Sequence, residues 1–175
     1  MRFFTKEWYE RQKKDADIRN SVARFYQQGI ESTEHLKMHR ALHEHDSRVV
    51  DFRFEGTIAV LSLDPSGSDS YDKEIRFLNA RILENESVTT GDWWLDHEVY
   101  PTDDGWEIHI LFTAGDEDFK YLTLIASAAE FVEDEQKKQY QETQQKLMSD
   151  FHNAEGEEKQ KIEAEMDRLI EEYRK

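Results

Sequence analysis

His35, His39 and His43 recur every four residues, with His45 just beyond. On a helix, at about 100° per residue, that spacing gathers the three rings into one ~80° strip. The strip lies between Leu36 and Leu42, with Lys37, Arg40 and Glu44 opposite, so it falls on the side where the helix packs. Neutral imidazoles one turn apart can ligate Zn2+, with Asp46 or Glu34 adding oxygen. The same residues have a structural alternative, as half-buried, hydrogen-bonded rings along a helix boundary or over the edge of a sheet. The His-Glu-x-x-His pattern of a metalloprotease does not occur.

A second set lies farther along. Trp93 to Tyr100 and Trp106 to Thr113 alternate apolar and polar side chains around Pro101-Thr102-Asp103-Asp104-Gly105. Taking Asp104-Gly105 as the two-residue loop of a type I′ hairpin sets Val99 opposite Ile110 and His97 opposite Phe112. Leu95 and Trp93 join that apolar face. The other face collects Trp94, Asp96, Glu98, Tyr100, Glu107, His109 and Leu111, with Tyr100 opposite His109. An imidazole beside carboxylates and a phenol suits general acid–base work, because a nearby carboxylate raises its pKa. Glu98, His109 and Tyr100 are therefore the candidate catalytic residues; the alternative is a cross-strand network under a covering helix. No nucleophile, oxyanion donor, phosphate-binding glycine motif or Gly-x-Ser-x-Gly elbow accompanies them, and no cofactor is implied. The oxygen-rich run Asp64 to Ser70 lacks the spacing and closing Glu of a Ca2+ loop and reads as a turn.

These residues need elements to position them. Helical spacing of Trp8, Ile18, Val22, Phe25 and Tyr26 predicts a helix from Lys6 to Gln28, capped by Thr5 and stopped by Gly29. Ser32 caps a second helix running to about His45. From Arg48 the period becomes two: Val50, Phe52 and Phe54 alternate with charged residues, Glu55-Gly56 turns, and Thr57 to Leu63 returns. That register sets Phe54 opposite Thr57, Phe52 opposite Ala59 and Val50 opposite Leu61. A third strand is expected over Glu74–Leu83 and a last one over Phe119–Ala126, after a turn at Gly115-Asp116. Beyond Ser127 the chain reads as a polar helical hairpin broken at Asn153 to Gly156. Its stripe of Ile162, Met166, Leu169 and Tyr173 must be covered, either by the chain itself or by a partner or second copy.

Bulk composition narrows the classes. The 175 residues include no Cys, which excludes disulfides and thiolate sites and fits a reducing compartment. No signal-peptide pattern opens the chain and no apolar run approaches a membrane span, so a cytoplasmic location is expected. The net charge is −16, distributed as +2 over residues 1–45, −9 over 46–105 and −9 over the rest. Such a field opposes nucleic acid and anionic membranes and favours a basic protein partner or cations.

One stretch carries a resemblance. Ile75-Arg76-Phe77-Leu78-Asn79-Ala80-Arg81-Ile82-Leu83, Gly91-Asp92-Trp93-Trp94-Leu95-Asp96-His97-Glu98-Val99-Tyr100 and Gly105-Trp106-Glu107-Ile108-His109-Ile110-Leu111 resemble the bacterial domain of unknown function 4085. Phe4 to Tyr9 and His45-Asp46 are similar to it as well. The resemblance covers roughly residues 1–130 and implies an intracellular bacterial origin, with no activity or site attached.

The expectation is thus an α+β fold. A twisted, mainly antiparallel sheet of five or six strands (48–126) is covered by N-terminal helices 6–28 and 32–45 in a domain of residues 1–130. A C-terminal helical hairpin follows over 131–175. The covered face should hold Phe52, Phe54, Leu61, Leu95, Val99, Ile108 and Ile110. The favoured function is non-enzymatic binding of a basic protein partner. The alternatives are metal or small-ligand binding at the histidine strip, and a small enzyme using the Glu98/His109 pair.

Overall fold

Period-two alternation over residues 48–133 builds a sheet, and 3.6-residue spacing on either side builds helices. The computed structural model describes residues 1–12, 16–68, 70–115 and 118–173, leaving aside the side chains of 12 and 16–20. Strands β1 (Arg48–Glu55), β2 (Ile58–Asp64), β3 (Asp72–Leu78), β4 (Arg81–Asn85), β5 (Trp93–Thr102), β6 (Gly105–Thr113), β7 (Phe119–Ala126) and β8 (Ala128–Glu133) form one antiparallel sheet. Their order is β4-β7-β6-β5-β1-β2-β3-β8. Five or six strands were expected, and the excess has two sources. The third expected strand breaks into β3 and β4 at Asn79, whose φ is 50°. Past Ser127, where helix was expected, the chain continues as β8 beside β3. There Phe131 packs on the core, and strand pairing overrides local helix preference. The two edge strands are therefore continuations of interior ones. The Ser127 N–H donates to the Leu78 carbonyl at 2.9 Å where both bends meet.

Inside this curl lies one apolar cluster, with Leu61, Ile75, Phe77, Val99, Ile108, Ile110, Phe112, Leu122 and Leu124 all fully buried. Both hairpins are displaced by two residues from the expected register. Phe54 pairs with Ala59 and Phe52 with Leu61, while Val99 pairs with Ile108 and His97 with Ile110. A shift of two keeps every side chain on its own face, so the sorting survives. The second loop is Asp103-Asp104, neither residue having positive φ, so it is not type I′. Gly105 is required for another reason. A Cβ there would strike the Ala126 carbonyl oxygen and lie 2.7 Å from Ser127 Cα, at φ +126°.

Bulges correct the rest. One between Val49 and Asp51 leaves Val50 48% exposed; another between Trp94 and Asp96 inverts the faces beyond it. Trp94, expected outside, is fully buried in the core. Leu95, expected inside, packs with Leu111 and Phe119 on the opposite face. Phe54 lies next to the turn of its hairpin and stays 48% exposed.

The single helix expected over 6–28 is two, α1 (Lys6–Gln12) and α2 (Ala16–Gln28). Residues 13–15 and the Ile18 side chain, parts of that expectation, fall outside the described residues, as do Asp69 and Asp116 of the two expected turns. One straight helix would hold Trp8 and Tyr26 about 27 Å apart. Instead both pack on the Phe4 ring, at 5.0 and 5.4 Å between centroids. Thr5 Oγ1 accepts from the Trp8 N–H, as a cap should. Helix α3 (Thr33–Ala41) is capped by Ser32, which accepts from the His35 N–H at 3.0 Å, and it ends before His45. Glu44, expected on the exposed face of that helix, lies past its end and is 1% exposed.

The chain divides into two compact units, Met1–Val132 and Glu133–Lys175. Within the second, α4 (Glu135–Asn153) and α5 (Glu157–Tyr173) form a hairpin in which Tyr140 stacks on Tyr173 at 4.1 Å. Leu147 is buried, while no residue of α5 is.

Candidate functional site

Strand β5 decides where polar chemistry gathers. Its ladder with β6 runs from Trp93 to Thr102 with one bulge, but β1 pairs with it only at Arg48 and Trp93. Beyond that pair, helix side chains take over the backbone groups of β5. The Tyr26 hydroxyl accepts from the Val99 N–H at 2.8 Å and donates to the Val99 carbonyl at 3.3 Å. His35 Nε2 donates to the same carbonyl at 2.6 Å, and its Nδ1 accepts from the Glu31 N–H. His97 Nε2 donates to the His39 carbonyl at 2.9 Å. Both nitrogens of His35 are thus committed, Nε2 to a β5 carbonyl that β1 leaves unpaired and Nδ1 to the segment before α3.

On the outer face of β5 and β6 the acid–base candidates meet the start of the chain. Glu98 is fully buried. Its Oε1 accepts from the N–H groups of Phe3 and Phe4 at 2.7 and 2.6 Å, and its Oε2 from the Arg2 N–H and the Tyr100 hydroxyl, both at 2.6 Å. Three successive N–H groups converging on one anion form a nest, and charge-assisted bonds of this kind are strong. Glu98 pairs with His109, and Tyr100 with Glu107, where Tyr100 opposite His109 was expected. His109 Nε2 donates to Glu107 at 2.7 Å, while Nδ1 lies 3.1 Å from the Met1 amino group. Burial, reinforced by that amino group, lowers the His109 pKa, although the carboxylates oppose it. Burial followed by the Glu98 charge raises that of Tyr100. The oxygens of Glu98 and Nδ1 of His109 are therefore occupied by residues 1–4, with Tyr100 also on Glu98 and Glu107 on His109 Nε2.

The histidine side of β5 differs. A cavity of about 210 Å3 opens there, walled by Phe4, Trp8 and Tyr26, by His39, His43, His45 and His97, and by Asp96. Ala23 and Gln27 complete it, and among the described residues no Lys or Arg borders it. It adjoins an open groove of about 900 Å3 between α2 and α3, which shares Gln27, His39 and His43 and ends at Arg40 and Leu36. The rings of His39 and His97 lie 4.7 Å apart. Burial pushes His97 down to about 3 and His39 to about 4, helped by the neighbouring histidine charges, so both are neutral at pH 7. Trp8 Nε1 and His39 Nδ1 are buried and find no partner within the protein. They are two of four such side-chain atoms among the described residues.

Of the sequence-predicted strip, His39 and His43 therefore reach the cavity and His35 does not. Among the described residues no three His, Asp or Glu side chains are grouped to hold a metal ion. Sequence reasoning missed Trp8, Asp96 and His97 as cavity residues, because fold-back of α1 and the β5 bulge bring them there. It also missed Glu44, which accepts from Ser70 at 2.8 Å and Ser47 at 3.2 Å. Burial raises its pKa to about 7. In the second unit, the Ile162, Met166, Leu169 and Tyr173 stripe is half-buried, with Tyr173 against Tyr140 and Ile162 beside Leu147 and Ala154.

A family model described as Protein of unknown function (DUF4085) matches residues 5–126. No curated protein and no solved structure matches the chain. No helix among the described residues is long and apolar enough to cross a membrane.

Proposed function

The chain belongs to the DUF4085 family, whose matched span holds every cavity residue except Phe4, and from that premise we propose a protein that binds a small planar compound, uncharged or cationic, in the histidine-lined cavity. One observation carries the reading: Trp8 and His39, each with a buried ring nitrogen that has no partner within the protein, line the same cavity. A buried N–H or ring nitrogen without a partner costs about 1–3 kcal/mol, which a ligand bonding to it would recover. Aromatic walls with a few convergent polar groups are the usual lining of a ligand site. Neutral imidazoles, Asp96 and a net charge of −16 favour a cation or neutral compound over an anion. The chain acts here as a binder, since Glu98 and His109 are taken up by its own N-terminal segment and border neither cavity.

The test is titration of the 15N-labelled protein with benzamidine, nicotinamide and benzoate. Benzamidine or nicotinamide should move the Trp8 indole N–H resonance, with Trp8→Phe and His39→Phe each weakening binding, while benzoate has no effect. Shifts absent for all three, or insensitive to both substitutions, would sink the proposal. A parallel titration with Zn2+ decides whether His39 and His43 take a metal instead.

A second reading concerns the hairpin. No residue of α5 is buried, and Met148 of α4 is 44% exposed. That supports self-association, or docking of a basic protein, through Ile162, Met166, Leu169 and Tyr173. Sedimentation of the protein and of Met166→Lys would separate a hairpin-mediated dimer from a monomer.

A further inference from the structure

We infer that the outer face of β5 and β6 is a peptide-binding groove anchored by Glu98, that its occupant is the chain's own segment Met1–Phe4, and that this occupancy builds one wall of the histidine cavity. The groove reads backbone first. Glu98 is fully buried, and its hydrogen-bond donors are the N–H groups of Arg2, Phe3 and Phe4 and the Tyr100 hydroxyl, each within 2.7 Å. Without residues 1–4, a buried carboxylate would keep one donor out of four. Only a segment presenting several N–H groups at backbone spacing can replace them.

Side chains then set the class of peptide. The Arg2 guanidinium lies over the Tyr100 ring, 4.5 Å from its centroid. Phe3 and Phe4 meet Tyr26 at 5.9 and 5.4 Å, and Phe4 meets Trp8 at 5.0 Å. The groove therefore fits a short basic-aromatic segment, which its carboxylates Glu98 and Glu107 complement in charge. Phe4 links the two sites, because its N–H is held by Glu98 while its ring borders the cavity. Glu98 touches no cavity atom in this arrangement; toward the cavity it is a positioning residue. The groove rests on these contacts alone, and only the shared wall depends on the ligand reading above.

The experiment deletes residues 1–4 and returns them in trans as the peptide Met-Arg-Phe-Phe-amide. The deleted protein should bind the peptide saturably and one to one by Trp8 fluorescence. Binding should weaken about tenfold or more with Glu98→Gln, and equally with a peptide N-methylated at Phe3 and Phe4, which keeps the side chains but loses the donors. Bound peptide should also slow carbethoxylation of His39 by diethyl pyrocarbonate. A folded deletion variant that ignores the peptide, or binding indifferent to Glu98→Gln and to N-methylation, overturns the groove. If the deletion variant does not fold, hydrogen exchange on the full chain decides. The Phe3 and Phe4 amides should exchange about tenfold or more faster in Glu98→Gln, and unchanged protection overturns the proposal. Small-molecule titration of the full chain stays readable in either event, so failure of the groove and failure of the cavity reading are told apart.

Discussion

Two faces of β5 carry polar clusters of similar composition and opposite bonding. On the outer face, Glu98, Tyr100 and His109 have their oxygens and nitrogens occupied by one another, by Glu107 and by residues 1–4. On the helix side, His39 and Trp8 each leave a buried nitrogen unpaired beside a cavity. A satisfied network holds the fold, and removing a member leaves the others stranded. An unsatisfied one costs stability and is kept where it is used. The pair that looked most catalytic in sequence thus has its polar atoms partnered within the fold.

The contrast can be broken by substitution. Glu98→Ala strands three N–H groups, that of Phe4 buried and those of Arg2 and Phe3 partly so, and should destabilise by about 3–5 kcal/mol in denaturant unfolding. A loss under about 1 kcal/mol would mean that residues 1–4 contribute little to the folded state. Tyr100→Phe removes one charge-assisted bond and should cost about 1–3 kcal/mol by the same measurement. His39→Phe, on the other face, removes the imidazole, whose Nδ1 bonds to nothing, and keeps an aromatic ring of somewhat larger size in its place. It should change stability by less than about 1 kcal/mol, in either direction, while abolishing any cavity ligand. Equal costs for Glu98→Ala and His39→Phe would erase the distinction.

Acid titration sharpens it further. His39 and His97 have folded pKa values near 4 and 3, below the usual 6.5, so the unfolded chain binds more protons as pH drops beneath about 6.5. Their contribution is present above that pH and lost on acidification toward 3. Glu44 acts oppositely. Its pKa rises from 4.5 to about 7 through burial, so the native state holds the extra proton and stability falls as pH rises through that window. Two histidines against one carboxylate make stability climb with pH from about 4.5 to 6.5. His39→Phe should flatten that climb and Glu44→Gln should steepen it, as read by urea midpoints across the range. A flat profile in the unsubstituted protein would show that the histidines are not held neutral.

Much of the sheet was legible because its signal is local. Alternation in Trp106–Thr113 and Thr57–Leu63 sorted Ile108, Ile110 and Leu61 correctly, and a two-residue slip in each hairpin leaves that sorting intact. The bulges at Val50 and Leu95 were invisible, since one unpaired residue reverses the faces without changing composition. The break at Asn79 and the strand after Ser127 were hidden for a similar reason: both depend on pairing with each other across the chain. For the site, sequence proximity put Glu98, Tyr100 and His109 together and lined up His39 with His43. It had no means of supplying Glu98 with partners more than ninety positions away.

What the sequence by itself determined is the period of most segments, the acidic surplus and the family, because these are properties of neighbouring residues and of totals. Tertiary structure alone decided which buried polar atoms are paired. Pairing requires a donor and an acceptor brought within about 3 Å by chain closure, and Glu98 met such partners where His39 Nδ1 and Trp8 Nε1 did not.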